Sequence, residues 1–319
     1  MKKYLTFIAL IIIIQGCSSV KPNFDFNKVL WTSDWSPNND LIAIGGNWNE
    51  MQIVSADNLK TLRTYEIANT ITKIKWNKSG DLIAVTSQIS KEPSILINAK
   101  TDEIVKLDKI SKDGARGLGW NYDDSILGVG DNEGNLTLFN NKGEYIRKID
   151  LGQKVITGIS WHPSKNILVA VGSQISIYNL DNDKLKTIKP RKNEVLMLCV
   201  EWHKSGEFFV TGDYGDFDKN YPPLLQFWTQ RGEKIKDIKE SKAEYRNLRW
   251  SSDGKTLATA SDKIRLWNTE GKLLKSRALK SLLWGIDWNA DNSKLVVTSE
   301  DGKITFLNNK LKVIRSSEK

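Results

Sequence analysis

Three residues with reactive side chains alternate near the middle of the chain, at Cys199, Glu201 and His203. Because alternate residues of an extended strand point to one face, a thiol, a carboxylate and an imidazole would lie together there. Such a set could provide a nucleophile with its base, or ligands for a metal ion. The sequence nevertheless favours a structural role, because each of these positions has such a role in the chain's other repeats. The position of Cys199 is mostly filled by small residues, that of Glu201 by a mixed ring that could line the central channel, and that of His203 by polar turn residues. No glycine-rich phosphate loop or nucleophile elbow is present, so we predict no catalytic residue, no metal ion and no cofactor.

A second thiol, that of Cys17, follows a short N-terminal apolar segment. Two lysines precede this segment, which is too short to span a bilayer comfortably and is typical of a signal peptide. The residues 14–17, Ile-Gln-Gly-Cys, resemble the bacterial lipobox. This resemblance implies cleavage before Cys17, diacylglycerol on its thiol, and a stable membrane anchor made of several acyl chains.

The lipobox resemblance also implies a location and a domain plan. We expect a lipid-anchored protein of the bacterial cell envelope. If the host is Gram-negative, Ser18 favours the outer membrane over the inner one. Residues 1–16 are then the signal peptide, residues 17–29 a lipidated tether, and residues 30–319 the folded domain. Once Cys17 carries lipid, Cys199 is the one cysteine left, so we predict no disulfide within the chain.

Seven tryptophans recur with a period near 40 residues, and we call them the repeat tryptophans. They are Trp35, Trp76, Trp120, Trp161, Trp202, Trp250 and Trp288. Each ends a β-rich run and is followed by a polar turn and a second apolar run, as in the Asn-Lys-Ser-Gly-Asp turn after Trp76. A third run ends in a polar residue, and a fourth completes the unit. Four strands in each of seven units predict an all-β, seven-bladed β-propeller with antiparallel sheets.

The repeats resemble the WD-repeat family over residues 30–316, with two departures. The Gly-His pair of that family is absent, and its Asp after the third-strand aromatic position is replaced by Asn, Thr or Ser. The buried hydrogen-bond network that uses those two residues is therefore expected to be missing. The Trp-Ser-Pro turn also resembles the propeller of the Tol system, but that family usually has six blades. We expect residues 311–316 to complete blade 7, with no strand exchanged from the N-terminus and blades 1 and 7 joined by packing alone.

The formal net charge of +9 invites a nucleic-acid function, but the basic residues are spread over all blades. About two per blade fall on the predicted outermost strands, where lysine prevents pairing with another sheet. They are Arg63, Lys106, Arg147, Lys148, Lys184, Lys186, Lys234, Lys236, Lys272, Lys275, Lys312 and Arg315. A ring of spaced charges is not a stripe that follows phosphates, so we predict no nucleic-acid partner and a monomeric propeller.

Three functions fit this reading. The first is a non-enzymatic, lipid-anchored scaffold that binds a protein or peptide in the cell envelope. The second is a propeller enzyme, a hydrolase or lyase acting on an envelope glycan or peptide, although histidine is nearly absent. The third is a factor in outer-membrane assembly. The first is our main prediction, because the repeats supply no catalytic set and vary mainly on one face.

That variable face is formed by the loops between second and third strands and by those between fourth and first strands, and nearly all the variation in length lies in the former. The longest, in blade 5, carries the predicted binding residues Asp213, Tyr214, Asp216, Phe217 and Tyr221. A calcium loop is less favoured, because the spacing of its aspartates does not fit the EF-hand pattern.

On the same face, the residues four before each repeat tryptophan should surround the mouth of the channel, and we call them the mouth ring. They are Trp31, Thr72, Arg116, Thr157, Leu198, Arg246 and Trp284. We predict that Trp31, Arg116, Arg246 and Trp284 bind the partner, because Trp and Arg are enriched in binding hot spots. In the alternative reading, the two tryptophans only hold blade 7 to blade 1.

Overall fold

The computed structural model describes residues 29–67, 70–88 and 94–317. These residues form seven antiparallel four-stranded sheets, and each sheet is built from four consecutive strands. The prediction of an all-β propeller with seven blades of four strands is confirmed. The predicted signal peptide and most of the predicted tether, including Cys17, lie outside the described residues. No helix able to cross a bilayer occurs in the described part of the chain.

The first four blades use strands β1 to β16. Blade 1 has β1 (Leu30–Trp35), β2 (Leu41–Gly46), β3 (Glu50–Ser55) and β4 (Thr61–Glu66), and blade 2 has β5 (Ile71–Trp76), β6 (Leu82–Ser87), β7 (Ile95–Asn98) and β8 (Ile104–Lys106). Blade 3 has β9 (Ala115–Trp120), β10 (Ile126–Asp131), β11 (Asn135–Asn140) and β12 (Tyr145–Asp150), and blade 4 has β13 (Ile156–Trp161), β14 (Ile167–Gly172), β15 (Ile175–Asn179) and β16 (Lys184–Ile188).

The last three blades use strands β17 to β28. Blade 5 has β17 (Met197–Trp202), β18 (Phe208–Asp213), β19 (Leu225–Thr229) and β20 (Lys234–Ile238). Blade 6 has β21 (Asn247–Trp250), β22 (Leu257–Ala260), β23 (Ile264–Trp267) and β24 (Leu273–Arg277). Blade 7 has β25 (Leu283–Trp288), β26 (Lys294–Ser299), β27 (Ile304–Asn308) and β28 (Val313–Ser316).

All seven first strands end at a repeat tryptophan, as the repeat pattern predicts. The polar residue that follows closes the turn with its side chain. In blade 2, Asn77 Oδ1 accepts hydrogen bonds from the backbone N–H groups of Asp81 and Leu82, at 3.0 and 2.9 Å. Because this side chain satisfies backbone donors that the turn leaves unpaired, the polar residue fixes where the first strand ends.

The hydrophobic core lies between neighbouring blades. One cluster joins Leu136 and Leu138 of blade 3 to Trp161 and Leu168 of blade 4, and all four side chains are buried. Within blades 5 and 6, side-chain hydrogen bonds also tie the third strand to the second. There, the indole N–H of Trp228 donates to Thr211 Oγ1, and the indole N–H of Trp267 donates to Thr259 Oγ1, each at 3.0 Å.

The outermost strands are exposed, as their lysines and arginines predict. Each of these strands also exposes a large aliphatic side chain, which the basic residues alone do not predict. These side chains are Leu62, Ile104, Ile146, Leu185, Ile235, Leu274 and Ile314. They are spread singly around the outer edge, as isolated apolar side chains on a protein surface usually are.

Strand β28 completes blade 7, as predicted, and within the described residues each blade is built from its own four consecutive strands. The N-terminal tail, from which we expect no exchanged strand, lies outside the described residues. The expectation that packing alone joins the two blades is wrong. Although Trp35 does stack on Phe306 at 5.3 Å, hydrogen bonds cross the junction as well. Trp35 N donates to Asp287 Oδ2 at 2.7 Å, and Thr298 Oγ1 donates to the carbonyl of Leu30 at 3.1 Å. We call this contact between blades 7 and 1 the closure junction.

Candidate functional site

Five side chains of the predicted binding surface form one continuous stack across the channel mouth. Trp31 and Trp284 lie ring to ring, with centroids 5.1 Å apart and planes at 25°. The guanidinium of Arg246 lies over Trp284 at 3.8 Å and over Tyr214 at 5.6 Å, while that of Arg116 lies over Trp31 at 5.9 Å. We call this set, which draws on blades 3, 1, 7, 6 and 5, the arginine–aromatic stack. Cation–π contacts of this kind hold side chains in a fixed arrangement before any partner arrives.

Two side chains of the arginine–aromatic stack have a polar group without a hydrogen-bond partner among the described residues. All five of its side chains are partly buried. Trp31 Nε1 and Arg116 Nε are buried and lack a hydrogen-bond partner in the described part of the chain. Burial and the charge of Arg246 lower the pKa of Arg116. A carboxylate or carbonyl of a partner would satisfy these donors, because buried polar groups without partners carry a free-energy cost.

The other three residues of the mouth ring do not join the stack. Thr72 Oγ1 donates to the carbonyl of Ala115 at 2.6 Å, and Thr157 Oγ1 donates to the carbonyl of Met197 at 2.6 Å. Both threonines are buried and tie neighbouring blades together, while Leu198 is partly exposed. The mouth is therefore asymmetric, with its aromatic and cationic side chains gathered on the side that includes the closure junction.

The blade 5 loop between β18 and β19 is held from within by Asp213. Its carboxylate is completely buried and accepts from the backbone N–H groups of Gly215 and Leu224, at 3.0 and 2.8 Å. Arg191 completes the contacts with an ion pair of 2.9 Å. The prediction that Asp213 contacts a partner needs correction, since this side chain cannot be reached from solvent. It organises the loop instead.

The remaining predicted residues of the loop lie at its surface. Phe217 is 55% exposed at the tip. Asp216 and Tyr221 pair through their backbones below it, and the guanidinium of Arg191 lies over the Tyr221 ring at 5.9 Å. Lys219 forms an ion pair with Asp216 at 2.8 Å. Tyr214 connects this loop to the arginine–aromatic stack through Arg246, so the two predicted parts of the surface are contiguous.

Inside the channel, the residues immediately before the repeat tryptophans form a second ring, which we call the channel ring. It consists of Asp34, Lys75, Gly119, Ser160, Glu201, Arg249 and Asp287. Arg249 forms ion pairs with three carboxylates of the ring. Its guanidinium nitrogens lie 2.6 Å from a carboxylate oxygen of Asp34, 2.7 Å from one of Asp287 and 3.5 Å from one of Glu201. Lys75 adds an ion pair of 2.6 Å with Asp34. Burial lowers the pKa of Arg249, but the three carboxylates outweigh it and raise that pKa overall.

The channel ring also caps the next blade. The backbone N–H of each of several repeat tryptophans donates to the ring residue of the preceding blade. Trp76 N donates to Asp34 at 2.7 Å, and Trp250 N donates to Glu201 at 3.0 Å. Its polar residues therefore have structural partners.

The alternating residues Cys199, Glu201 and His203 do not form a catalytic set. Cys199 Sγ donates to the carbonyl of Tyr245, and burial raises the pKa of its thiol to about 12, so it is not a nucleophile at neutral pH. His203 closes a turn, stacks on Phe208 at 4.3 Å and contacts the carbonyl of Gly254. Among the described residues, no group of three or more His, Cys, Asp or Glu could hold a metal ion.

Comparison with known proteins agrees with this architecture. The family model of eukaryotic translation initiation factor eIF2A matches residues 130–286, and that of the anaphase-promoting complex subunit 4 WD40 domain matches residues 74–164. Protein FIZZY-RELATED 3 of Arabidopsis thaliana is 26% identical over 254 residues, which are 75% of this chain and 49% of that protein. The chain thus spans about half the length of the curated relative it matches. With its seven four-stranded blades, the folded part of this chain is a propeller similar to those of WD40 proteins.

Proposed function

We propose that this chain is a non-enzymatic, lipid-anchored scaffold that binds a protein or peptide partner in the bacterial cell envelope. The observation that carries the proposal is the arginine–aromatic stack. It combines the residue types most enriched in binding hot spots with partly exposed, preorganised side chains. WD40-type propellers typically mediate protein interactions, which supports the same conclusion.

The geometry indicates what such a partner should offer. A planar or aliphatic group could lie against the Trp31–Trp284 pair, and a carbonyl or carboxylate could accept from Arg116 or Trp31. The exposed ring of Phe217 extends the surface outward from Tyr214. We infer an extended peptide segment with at least one apolar and one acidic or carbonyl-bearing residue.

Partner capture should depend on the stack. A photo-cross-linking phenylalanine analogue at Phe217 is expected to trap the partner in intact cells, and the double variant Arg246→Ala/Tyr214→Ala should abolish that cross-link. The reason is that the double variant removes the bridge between the loop and Trp284. The same analogue at Tyr122, a partly exposed tyrosine on the opposite face, serves as the matched control and should trap nothing through this site.

A melting curve must show that the double variant is folded. If the Phe217 cross-link persists in it, but disappears when Lys78 and Lys204 on the opposite face become alanine, the binding surface is on the other side of the propeller.

Membrane attachment should depend on Cys17. We expect Cys17→Ala to lose incorporation of labelled palmitate and to leave the signal peptide uncleaved or processed at another site, because the thiol that receives the lipid is gone. Cys199→Ala is the matched control and should keep the label, since this thiol is buried in the propeller. Incorporation of palmitate into the Cys17→Ala protein would show that the anchor lies elsewhere.

A further inference from the structure

The central channel contains a cavity of about 470 Å3 that opens on the face opposite the arginine–aromatic stack. Its outer wall is formed by the turns that follow the first strands, including Pro37, Lys78 and Lys204. All seven repeat tryptophans contribute to the wall, and no residue of the mouth ring does. Cavities of this size are typical of sites for small ligands or short peptide ends.

At the inner end of this cavity lies the ammonium group of Lys73. It donates a hydrogen bond across the channel to Asn247 Oδ1, and Asn247 in turn donates to the carbonyl of Trp284. No carboxylate of the described residues lies within ion-pair distance of Lys73. The neighbouring cations differ, because Lys75 pairs with Asp34 and Arg249 pairs with three acids.

Lys73 is therefore the cation of this group that has no ion pair, although the three cations Lys73, Lys75 and Arg249 are matched in number by the carboxylates of Asp34, Glu201 and Asp287. Burial and repulsion from Lys75 and Arg249 lower the pKa of Lys73 to about 8, while the attraction of Asp34 acts in the other direction. A partly buried ammonium group whose hydrogen-bond partner is neutral is costly, and an anion that enters the cavity beside it would offset that cost.

We propose that the cavity binds a single carboxylate group through Lys73, with the apolar remainder of the ligand against the tryptophan-lined wall. One cation without an ion pair fits a monoanion. A phosphate dianion is disfavoured, because the carboxylates of Glu201 and Asp287 line the cavity and would repel a second negative charge. The carboxylate could belong to a free organic acid or to the C-terminus of a peptide. This site is separate from the arginine–aromatic stack and does not depend on its function.

Calorimetric titration of the full chain tests the proposal with phenylbutyrate and with N-acetyl-alanyl-phenylalanine, each beside its uncharged amide. We expect saturable binding of at least one acid, and binding of its amide weaker by at least about tenfold, because the amide loses a charge-assisted hydrogen bond. Binding of both acids would identify a site for small organic acids, and binding of the peptide acid alone would identify a site for peptide C-termini.

Asn247→Asp is the decisive variant, since it gives Lys73 a carboxylate inside the protein. It should abolish binding of the acids, because the new carboxylate takes the place of the ligand beside the ammonium group of Lys73. Lys73→Met should also abolish binding, and the exposed outer-strand variant Lys275→Met should bind like the parent. The proposal is overturned if Asn247→Asp binds the acids as the parent does, if the amides bind equally well, or if none of the probes binds at about 10 mM.

Discussion

Replacement of Arg249 by methionine is expected to destabilise the propeller by about 3–5 kcal/mol, because a buried ion pair loses its central partner. The substitution keeps an unbranched apolar side chain, shorter than that of arginine, and removes the charge. Three carboxylates, those of Asp34, Glu201 and Asp287, would then lose their shared ion-pair partner. Only Asp34 would keep an ion pair, the one that it forms with Lys75. The midpoint of urea-induced unfolding at pH 7 measures the loss of stability. Arg231→Met, on an exposed turn, is the matched control and should shift the midpoint little.

The loss should also depend on pH. Burial already raises the pKa of Glu201 in the parent protein, and the loss of Arg249 should raise it further, so the penalty is full at neutral pH. The penalty shrinks as the pH falls through the raised pKa of Glu201 and disappears below the ordinary carboxyl range.

A second variant checks the cause of this loss. The double variant Arg249→Met/Asp287→Asn should recover part of the stability, since Asn keeps an oxygen that can accept from Trp35 N. If Arg249→Met is as stable as Arg231→Met at pH 7, the ion pairs of the channel ring do not contribute as argued.

Trp161→Ala should cost about 3–5 kcal/mol of unfolding free energy, because a large buried aromatic side chain leaves a cavity that the blades cannot fill. The indole lies against Gly119 and Gly128 of blade 3, where a β-carbon would stand 3.3 and 3.4 Å from ring atoms. Its N–H donates to the carbonyl of Gly119 at 2.9 Å. Denaturant unfolding followed by circular dichroism measures the loss.

Phe217→Ala is the control for that measurement, since its ring is exposed and outside every blade interface. It should change the unfolding free energy by no more than about 0.5 kcal/mol. A Trp161→Ala protein as stable as the parent, with a defect in binding alone, would mean that the repeat tryptophans form a ligand site rather than the inter-blade core.

The blade architecture could be predicted from the sequence because its signals are local. Each repeat tryptophan and the polar residue after it terminate a strand within a few residues, as Trp76 and Asn77 do. Counting four residues back from each tryptophan was also sufficient to place Trp31, Arg246 and Trp284 at one level of the ring.

The partners of these side chains could not be predicted in the same way. The contact between Lys73 and Asn247 crosses the channel between residues 174 positions apart, and no periodicity indicates which members of a ring meet. The burial of Asp213 could not be predicted for a similar reason. An aspartate beside a long loop is expected to be exposed, and the sequence does not show that Arg191 forms an ion pair with it.

The closure junction has a mechanical consequence for the ring. The polypeptide runs across each of the other six blade boundaries, but none crosses between blade 7 and blade 1 within the described residues. The ring can therefore open between these two blades without straining a connecting segment of the described polypeptide. Trp31 and Trp284 stand on opposite sides of this boundary. A molecule that binds both indole rings would hold blades 7 and 1 together. By thermodynamic linkage, its apparent affinity would increase with the fraction of propellers in which this boundary is closed.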